Sequence, residues 1–343
     1  MNGKKLGAAV IALGEGFRHI KAYQSNPEIE LLMICDKDAE RLAQRQEEYG
    51  VACGVTDYRE VIANPDVDLV SVTSPDYYHA EHAVAALQAG KHVICEKPMT
   101  LNMEDCEAII KAVRETGKIF MTGHPTRFTP AFMLARKMIK RGDIGELFMV
   151  ESEYAHNYTR ARGKDSWRVD PRRDPFIGGA CHAVDLVRWI VGEDIEEAFA
   201  YANHKCLKDW PVNDACMSLF KFKNDVIGKV MCSIGLIRPY TMRSVFYGTE
   251  GTIICDNISD HLKMSSVKNS TYVIEKDHTG FATFPVHVDN HNVEGEVADM
   301  VDAVLRNKPV KADVFEGAKT VAACVAAVES AKTGTTVKVK NNF

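Results

Sequence analysis

The stretch Leu6-Gly7-Ala8-Ala9-Val10-Ile11-Ala12-Leu13-Gly14-Glu15-Gly16-Phe17 decides the fold. An apolar, partly β-branched run over Gly7 to Leu13 leads into a glycine-containing turn, and a helical pattern follows from Gly16. This is the first strand-to-helix step of a dinucleotide-binding half, whose usual fingerprint is G-x-G-x-x-G. Only the middle glycine, Gly14, is retained. At that position the backbone must come close to a pyrophosphate, and the helix that follows aims its unpaired N–H groups at the negative charge. Ala12 can make the turn if its φ is negative, Gly16 supplies conformational freedom, and Phe17 stands where close helix-to-strand packing usually asks for glycine. Leu13, Gly14, Glu15 and Gly16 are therefore candidates for cofactor binding. Taken alone, the motif fits equally well a turn that binds nothing.

Its surroundings favour the cofactor. A second strand, Glu30 to Cys35, ends at Asp36, where an acidic side chain can bind the ribose hydroxyls and would repel a 2′-phosphate. NAD is thus expected in preference to NADP. Lys37 next door could tolerate that phosphate, and Asp36-Lys37-Asp38 could also serve as a helix cap. Further candidate strands at Leu69–Thr73, His92–Cys95 and Ile119–Thr122 alternate with helical stretches from Asp38, Tyr77 and Met103, the last two ending at Gly90 and Gly117. The pattern predicts an α/β fold whose N-terminal part is a doubly wound parallel sheet of the Rossmann type, over residues 1–125.

After Arg127 the pattern changes. A helix is expected at Pro130–Lys140, a strand at Leu147–Tyr154, a polar arginine-rich loop to Pro175 and a helix from near Gly179. Alternating segments at Ala215–Phe222, Val226–Leu236 and Met242–Tyr247 predict an open, mostly antiparallel sheet with one covered face. Helices at Val293–Leu305 and Phe315–Lys332 close the chain. Residues 126–343 are read as this second α/β domain, for substrate binding and oligomerisation.

The 343 residues carry 42 basic and 47 acidic side chains, a formal charge of −5 without any basic tail, so nucleic acid is not an expected partner. No apolar stretch approaches the ~20 residues of a membrane span. Among the ten cysteines there is no C-x-x-C pair, and Cys35, Cys95, Cys232 and Cys255 lie in apolar runs. They read as core residues in a reducing, cytoplasmic setting. Cys181, His182 and Asp185 are a suggestive cluster but lack a further ligand at recognisable spacing, so no metal is expected.

Ligands bind at the carboxyl ends of strands in open parallel sheets, which draws attention to Thr73-Ser74-Pro75-Asp76-Tyr77-Tyr78-His79 and to Glu96-Lys97-Pro98. With these segments the chain resembles the Gfo/Idh/MocA family, whose hallmark is that Glu-Lys-Pro. Gly123, Arg127-Phe128, Ile144-Gly145-Glu146, Trp167-Arg168, Gly179 to His182, Asp185 and Gly248 to Thr252 extend the resemblance over essentially the whole chain.

The resemblance implies a homo-oligomer, dimer or tetramer, and a site in which Thr73, Ser74, Pro75, His79, Glu96 and Lys97 join Leu13 to Gly16, Asp36 and Lys37 around NAD. It implies that Lys97 lies near the nicotinamide and the reacting oxygen, often with a cis bond before the proline, here Pro98, that would fix the lysine's direction. A cation there stabilises developing alkoxide. It implies further that His182 exchanges the substrate proton, a role suited to a group titrating near neutrality. Arg127, Trp167, Arg168 and Asp185 are the implied substrate contacts. Many sugar-oxidising relatives have an aspartate four residues before the histidine, and Gly178 stands there instead. Either Lys97 and His182 suffice, or another polar group such as Asp185, His124 or Tyr154 takes the third role. The loop residues His156, Tyr158, Arg160, Arg162, Trp167 and Arg168 suit a small polyhydroxylated ligand or a neighbouring subunit.

The expected activity is oxidation of a secondary hydroxyl of a sugar, cyclitol or glycoside, with hydride passing to NAD. Two rivals remain: a redox-neutral enzyme that holds NAD tightly through transient oxidation and elimination or epimerisation, and a non-catalytic NAD-binding regulator.

Overall fold

The computed structural model describes residues 5–159, 166–268, 273–274 and 278–343. They form two compact units: Met1–His124 with Asn292–Val321 and Phe343, and Pro125–His291 with Ala322–Asn342.

The first unit runs β1 (Leu6–Ile11), α1 (Leu13–Ser25), β2 (Ile29–Cys35), α2 (Ala39–Tyr49), β3 (Gly54–Val55), α3 (Tyr58–Ala63), β4 (Leu69–Val72), α4 (His79–Gln88), β5 (His92–Glu96), α5 (Met103–Thr116) and β6 (Phe120–Gly123). Its strands pair in the order β3-β2-β1-β4-β5-β6, every pair parallel. The chain starts at the centre, winds outward to β3 and crosses back to β4. The direction therefore reverses between β1 and β4, and the turns after β1, β4 and β5 gather at that switch point. β1, β4 and β6 are buried along their whole length, as parallel strands covered on both faces must be. Asp38 caps α2 by accepting from the N–H groups of Glu40 and Arg41, and Gly117 ends α5 at φ 63°.

Two expectations about the first turn are corrected. β1 stops at Ile11 and α1 begins at Leu13, a turn earlier than the Gly16 start read from the sequence. Ala12 has φ 71°, not a negative value, so the tight turn that usually asks for glycine is made by a strained alanine. β3 and α3 went unread because two and six residues are too few to show a period.

The second unit contains α6 (Pro130–Lys140), β7 (Leu147–Ala155), α7 (Pro175–Gly178), α8 (Cys181–Val191), β8 (Ile195–Asn203), β9 (Ala215–Phe222), β10 (Ile227–Ser233), β11 (Ser244–Gly248), β12 (Gly251–Cys255), β13 (His261–Ser266), β14 (Val273–Ile274), β15 (His278–Thr279), β16 (Ala282–Pro285) and β17 (Val337–Lys338). Its large sheet has the order β16-β13-β12-β11-β7-β10-β9-β8-β17 and is antiparallel except between β7 and β10. Along β9, Cys216, Ser218, Phe220 and Phe222 are buried while Met217, Leu219 and Lys221 face out, the period-two pattern of a sheet covered on one side. α8 packs on that covered side against β7 and β10.

The closing helices are α9 (Val293–Arg306) and α10 (Val314–Thr333). α9 belongs to the first unit, where Val293, Val297, Met300 and Val301 share a core with Val10, Leu13 and Ile20. The sequence reading, which divides the chain after residue 125, places this helix in the second domain, and the contacts place it in the first. Apolar spacing shows that a helix has a face to bury but not which core receives it. Among the described residues no helix is long and apolar enough to cross a membrane.

Candidate active site

In the first unit the turn after β1 is shaped for a phosphate. A Cβ placed on Gly14 would have nothing within 4 Å, so the space outside the start of α1 is open. No side chain of the Ala12 cap closes that helix, and its first N–H, at Leu13, donates to Asp36 Oδ2 at 2.7 Å. Gly16 has a different task. A Cβ there would meet Thr73 Oγ1 at 2.5 Å and Val10 Cγ1 at 2.9 Å, so Gly16, not the position of Phe17, supplies the close helix-to-strand approach. Phe17 instead stacks under the cations of Arg18, Lys21 and Arg45.

Asp36 is buried and fully engaged. It accepts from the Asp38 N–H at 2.9 Å and from Arg41 Nη1 at 3.2 and 3.3 Å, besides Leu13. The carboxylate thus ties the β1 and β2 turns together, and Arg41, which the sequence reading missed, balances its charge. Lys37 lies over the ring of Tyr78 at 5.7 Å. Thr73 Oγ1 donates to Ile11 O at 2.9 Å, Ser74 Oγ pairs with His82 Nδ1 at 3.0 Å, and Pro75 opens the 3₁₀ turn Asp76–Tyr78. Burial lowers the His82 imidazole to about 4, so it stays neutral. His79 is buried with its ring between two carbonyl oxygens, Pro98 O at 2.8 Å and Ser74 O at 2.9 Å. It binds the β4 and β5 turns to each other, a positioning task in place of the cofactor contact expected for it.

Glu96 ends β5. Its Oε1 is 3.3 Å from His19 Nε2, its Oε2 accepts the Lys97 N–H at 3.2 Å, and the Lys97–Pro98 bond is cis. These features fit NAD: an open glycine at a helix start, a carboxylate beyond β2, and Lys97 at the end of the strand on the far side of β4.

In the second unit His182, in the first turn of α8, is buried with its ring stacked on Tyr154 at 5.8 Å and 16°. A Cβ on Gly179 would strike that tyrosine at 2.5 Å, so the glycine permits the stack. Tyr154 also donates or accepts at Tyr158 Oη, 2.9 Å away, and meets Tyr240 edge-on. His156 packs against Tyr158 at 4.6 Å and Tyr240 at 4.7 Å, and His291 meets both His182 and Tyr240. Burial raises the Tyr154 and Tyr240 phenols far above their usual range, which keeps them neutral donors. Tyr154, His156 and Tyr158 are spaced by two, a strand signal the sequence offered; Tyr240 and His291 arrive from distant segments without any such signal.

Arg127 and Asp185, both read as substrate contacts, bind each other. Arg127 Nε donates to Oδ2 at 2.9 Å and Nη2 to Oδ1 at 2.7 Å, both side chains being buried. This two-pronged pair fixes the start of α8 to the 3₁₀ turn Pro125–Arg127. Helix spacing did place Asp185 beside His182, but the partner lay 58 residues back. At Gly178 a Cβ would fall 2.4 Å from the guanidinium of buried Arg173, whose Nη2 donates to Gly178 O at 3.0 Å. A cation fills the place where the resemblance leads one to seek a carboxylate. Half-buried Trp167 has the Arg168 guanidinium 4.2 Å and the Arg173 guanidinium 5.0 Å from its ring centre. Of the third-role candidates, Tyr154 sits beside His182, Asp185 is held by Arg127, and His124 lies in the first unit. Arg160 and Arg162 fall outside the described residues. Near Cys181 and His182, the Asp185 carboxylate is committed to Arg127.

Residues 6–124 match the family described as the oxidoreductase family with NAD-binding Rossmann fold, and residues 132–254 match the GFO/IDH/MocA C-terminal domain. The chain is similar to myo-inositol 2-dehydrogenase of Thermotoga maritima, 29% identical over 263 residues, which span 73% of this chain and 75% of the relative. It is similar also to 1,5-anhydro-D-fructose reductase of Ensifer adhaerens, 30% identical over 69% of this chain and 72% of that one. Among solved structures, levoglucosan dehydrogenase in complex with NADH aligns over 99% of this chain and 100% of that chain, with TM-score 0.89 and 25% identity. The chain belongs to the Gfo/Idh/MocA oxidoreductase family. It is an NAD-dependent enzyme, with the cofactor in its Rossmann unit.

Proposed function

We propose that this enzyme oxidises a secondary hydroxyl of a small polyhydroxylated ring, a sugar or cyclitol, to the ketone. The observation that carries the reading is the second unit's cluster of His182, Tyr154, His156 and Tyr240, where an imidazole is stacked among neutral phenols. Such a cluster offers apolar ring faces to the C–H side of a cyclic polyol and hydroxyl donors to its oxygens. NAD, when bound, accepts the hydride. Lys97 stabilises charge developing on the substrate oxygen, and His182 takes the hydroxyl proton. The Arg127–Asp185 pair holds α8, and with it His182; Tyr154 orients the imidazole by stacking. Trp167 and Arg168 are assigned to the substrate and Glu96 to positioning Lys97.

The open face of the large sheet exposes Tyr201, Met217, Leu219 and Ile227 together, on which grounds we assign it to contact with a second copy of the chain. Among the described residues the ten cysteines form no disulfide and eight of them are buried, which supports a cytoplasmic setting. Absorbance at the NADH band across a panel of inositols, aldoses and anhydrosugars tests the function. Substrate-dependent, stoichiometric NADH formation is expected; substrate conversion without net NADH would show the redox-neutral alternative instead.

A further inference from the structure

Three groups in the first unit form a cluster, two of them buried, of which the proposed chemistry uses only Glu96. His19 on α1, Glu96 at the end of β5 and Glu296 on α9 each bring one polar atom within 4.8 Å of the other two. Glu296 is completely buried, and among the described residues neither of its carboxyl oxygens has a hydrogen-bond partner. It reaches this position past Gly123, where a Cβ would lie 3.3 Å from Glu296 Oε2. The other members are held from behind: His19 Nδ1 is 2.9 Å from Ser71 Oγ, which hydrogen-bonds Tyr23 Oη, and Glu96 is fixed by His19 and by the Lys97 N–H.

Two carboxylates this close, one of them wholly buried and without a protein donor among the described residues, cannot both be ionised at neutral pH. One proton resolves the conflict, because a protonated carboxyl is a donor and its ionised neighbour the acceptor. A divalent ion would satisfy the same atoms, but Lys97 already acts on Glu296 as a positive charge and would repel it. We propose that Glu296 is a proton-holding positioning residue: its carboxyl stays protonated at neutral pH and serves Glu96, so the pair carries one negative charge. Glu96 is thereby kept on His19 and on the Lys97 backbone, from which the Lys97 side chain departs. The inference deepens the role given to Lys97, but it stands on the cluster alone.

The groups that act on Glu296 are His19 from α1, Glu96 at the end of β5 with Lys97 just after it, and Asp299 on its own helix; β6 approaches through Gly123, which carries no titratable group. Burial first, then the charge of Glu96, moves its proton affinity upward, with Lys97 opposing. The folded chain therefore holds a proton that the unfolded chain has released. The resulting stability is complete below the ordinary carboxyl range and is lost as pH rises toward the raised value.

The test uses the full-length protein, its Glu296→Gln variant, infrared spectra and urea unfolding across pH. A protonated-carboxyl C=O band at neutral pH is expected in the parent and absent from Glu296→Gln. The ratio of parent to variant folding constants should fall by up to about tenfold per pH unit above ~4.3. Should Glu296→Gln fail to fold, Glu96→Gln serves: without the neighbouring charge, the parent's band must disappear at a lower pH. Absence of the band in the parent, pH curves that run parallel, a band unmoved by Glu96→Gln, or one equivalent of divalent metal in the purified protein would each overturn the proposal.

Discussion

Gly14 and Gly16 stand two residues apart in the same helix, yet replacing each by alanine should move stability in opposite directions. Neither has a positive φ, so each substitution gains roughly 0.4–1 kcal/mol by restricting the unfolded chain. At Gly14 nothing opposes that gain, because the added Cβ has no neighbour within 4 Å. Gly14→Ala should raise the melting temperature of the ligand-free protein by about 1–4 °C. At Gly16 the Cβ would come within 2.5 Å of Thr73 Oγ1 and 2.9 Å of Val10 Cγ1. Thr73 cannot retreat without giving up its bond to Ile11 O, so an overpacking cost of about 1–3 kcal/mol outweighs the gain and Gly16→Ala melts lower. Binding reverses the order of damage at Gly14, whose open space is the one reserved for the pyrophosphate. Calorimetric titration should show NAD affinity down by at least about tenfold in Gly14→Ala, a loss of ~1.4 kcal/mol. Parent-like affinity in Gly14→Ala would refute the placement of the phosphate, and parent-like stability in Gly16→Ala would refute the packing role.

Asp185→Ala removes the carboxylate that pairs with the buried Arg127 guanidinium and should cost about 3–5 kcal/mol in urea unfolding, whereas a substrate contact alone would cost almost nothing. Asp36→Ala should weaken NAD binding and narrow the preference over NADP, since it removes the carboxylate and leaves Arg41 available to a 2′-phosphate; unchanged cofactor preference would count against the assignment. Leu219→Glu combined with Ile227→Glu places charge on the exposed sheet face and should give monomers by sedimentation where the parent is an oligomer; a monomeric parent would remove the basis for that interface.

The first unit was legible because buried parallel strands and their intervening helices have length and period, and because Gly14, Asp36 and Glu96-Lys97-Pro98 fall at strand ends. What could not be read was which of neighbouring residues does which task. Conformational freedom is the sequence's reading of Gly16 and a negative φ the condition set on Ala12, but the contact that decides the task of Gly16 comes from Thr73, some sixty positions away. Asp185 was found by helix spacing, and its use was not, since Arg127 is distant in the chain. Likewise Arg173 fills the space beside Gly178 only because a loop folds back on α7. Glu296 had no local signal at all: a glutamate in an amphipathic helix is ordinarily a solvated residue, and its burial depends on Gly123 and on α9 returning to the first core.

The most direct test of the central claim is the turnover of Lys97→Ala and His182→Ala on whichever polyol reduces NAD, with NAD affinity measured alongside. General acid–base and electrostatic assistance are each worth about 10²–10⁴-fold, so both variants should lose at least about 10²-fold in kcat while NAD affinity stays within a few-fold. Near-parental kcat in His182→Ala would contradict the account and leave His182 as no more than a ring packed against Tyr154.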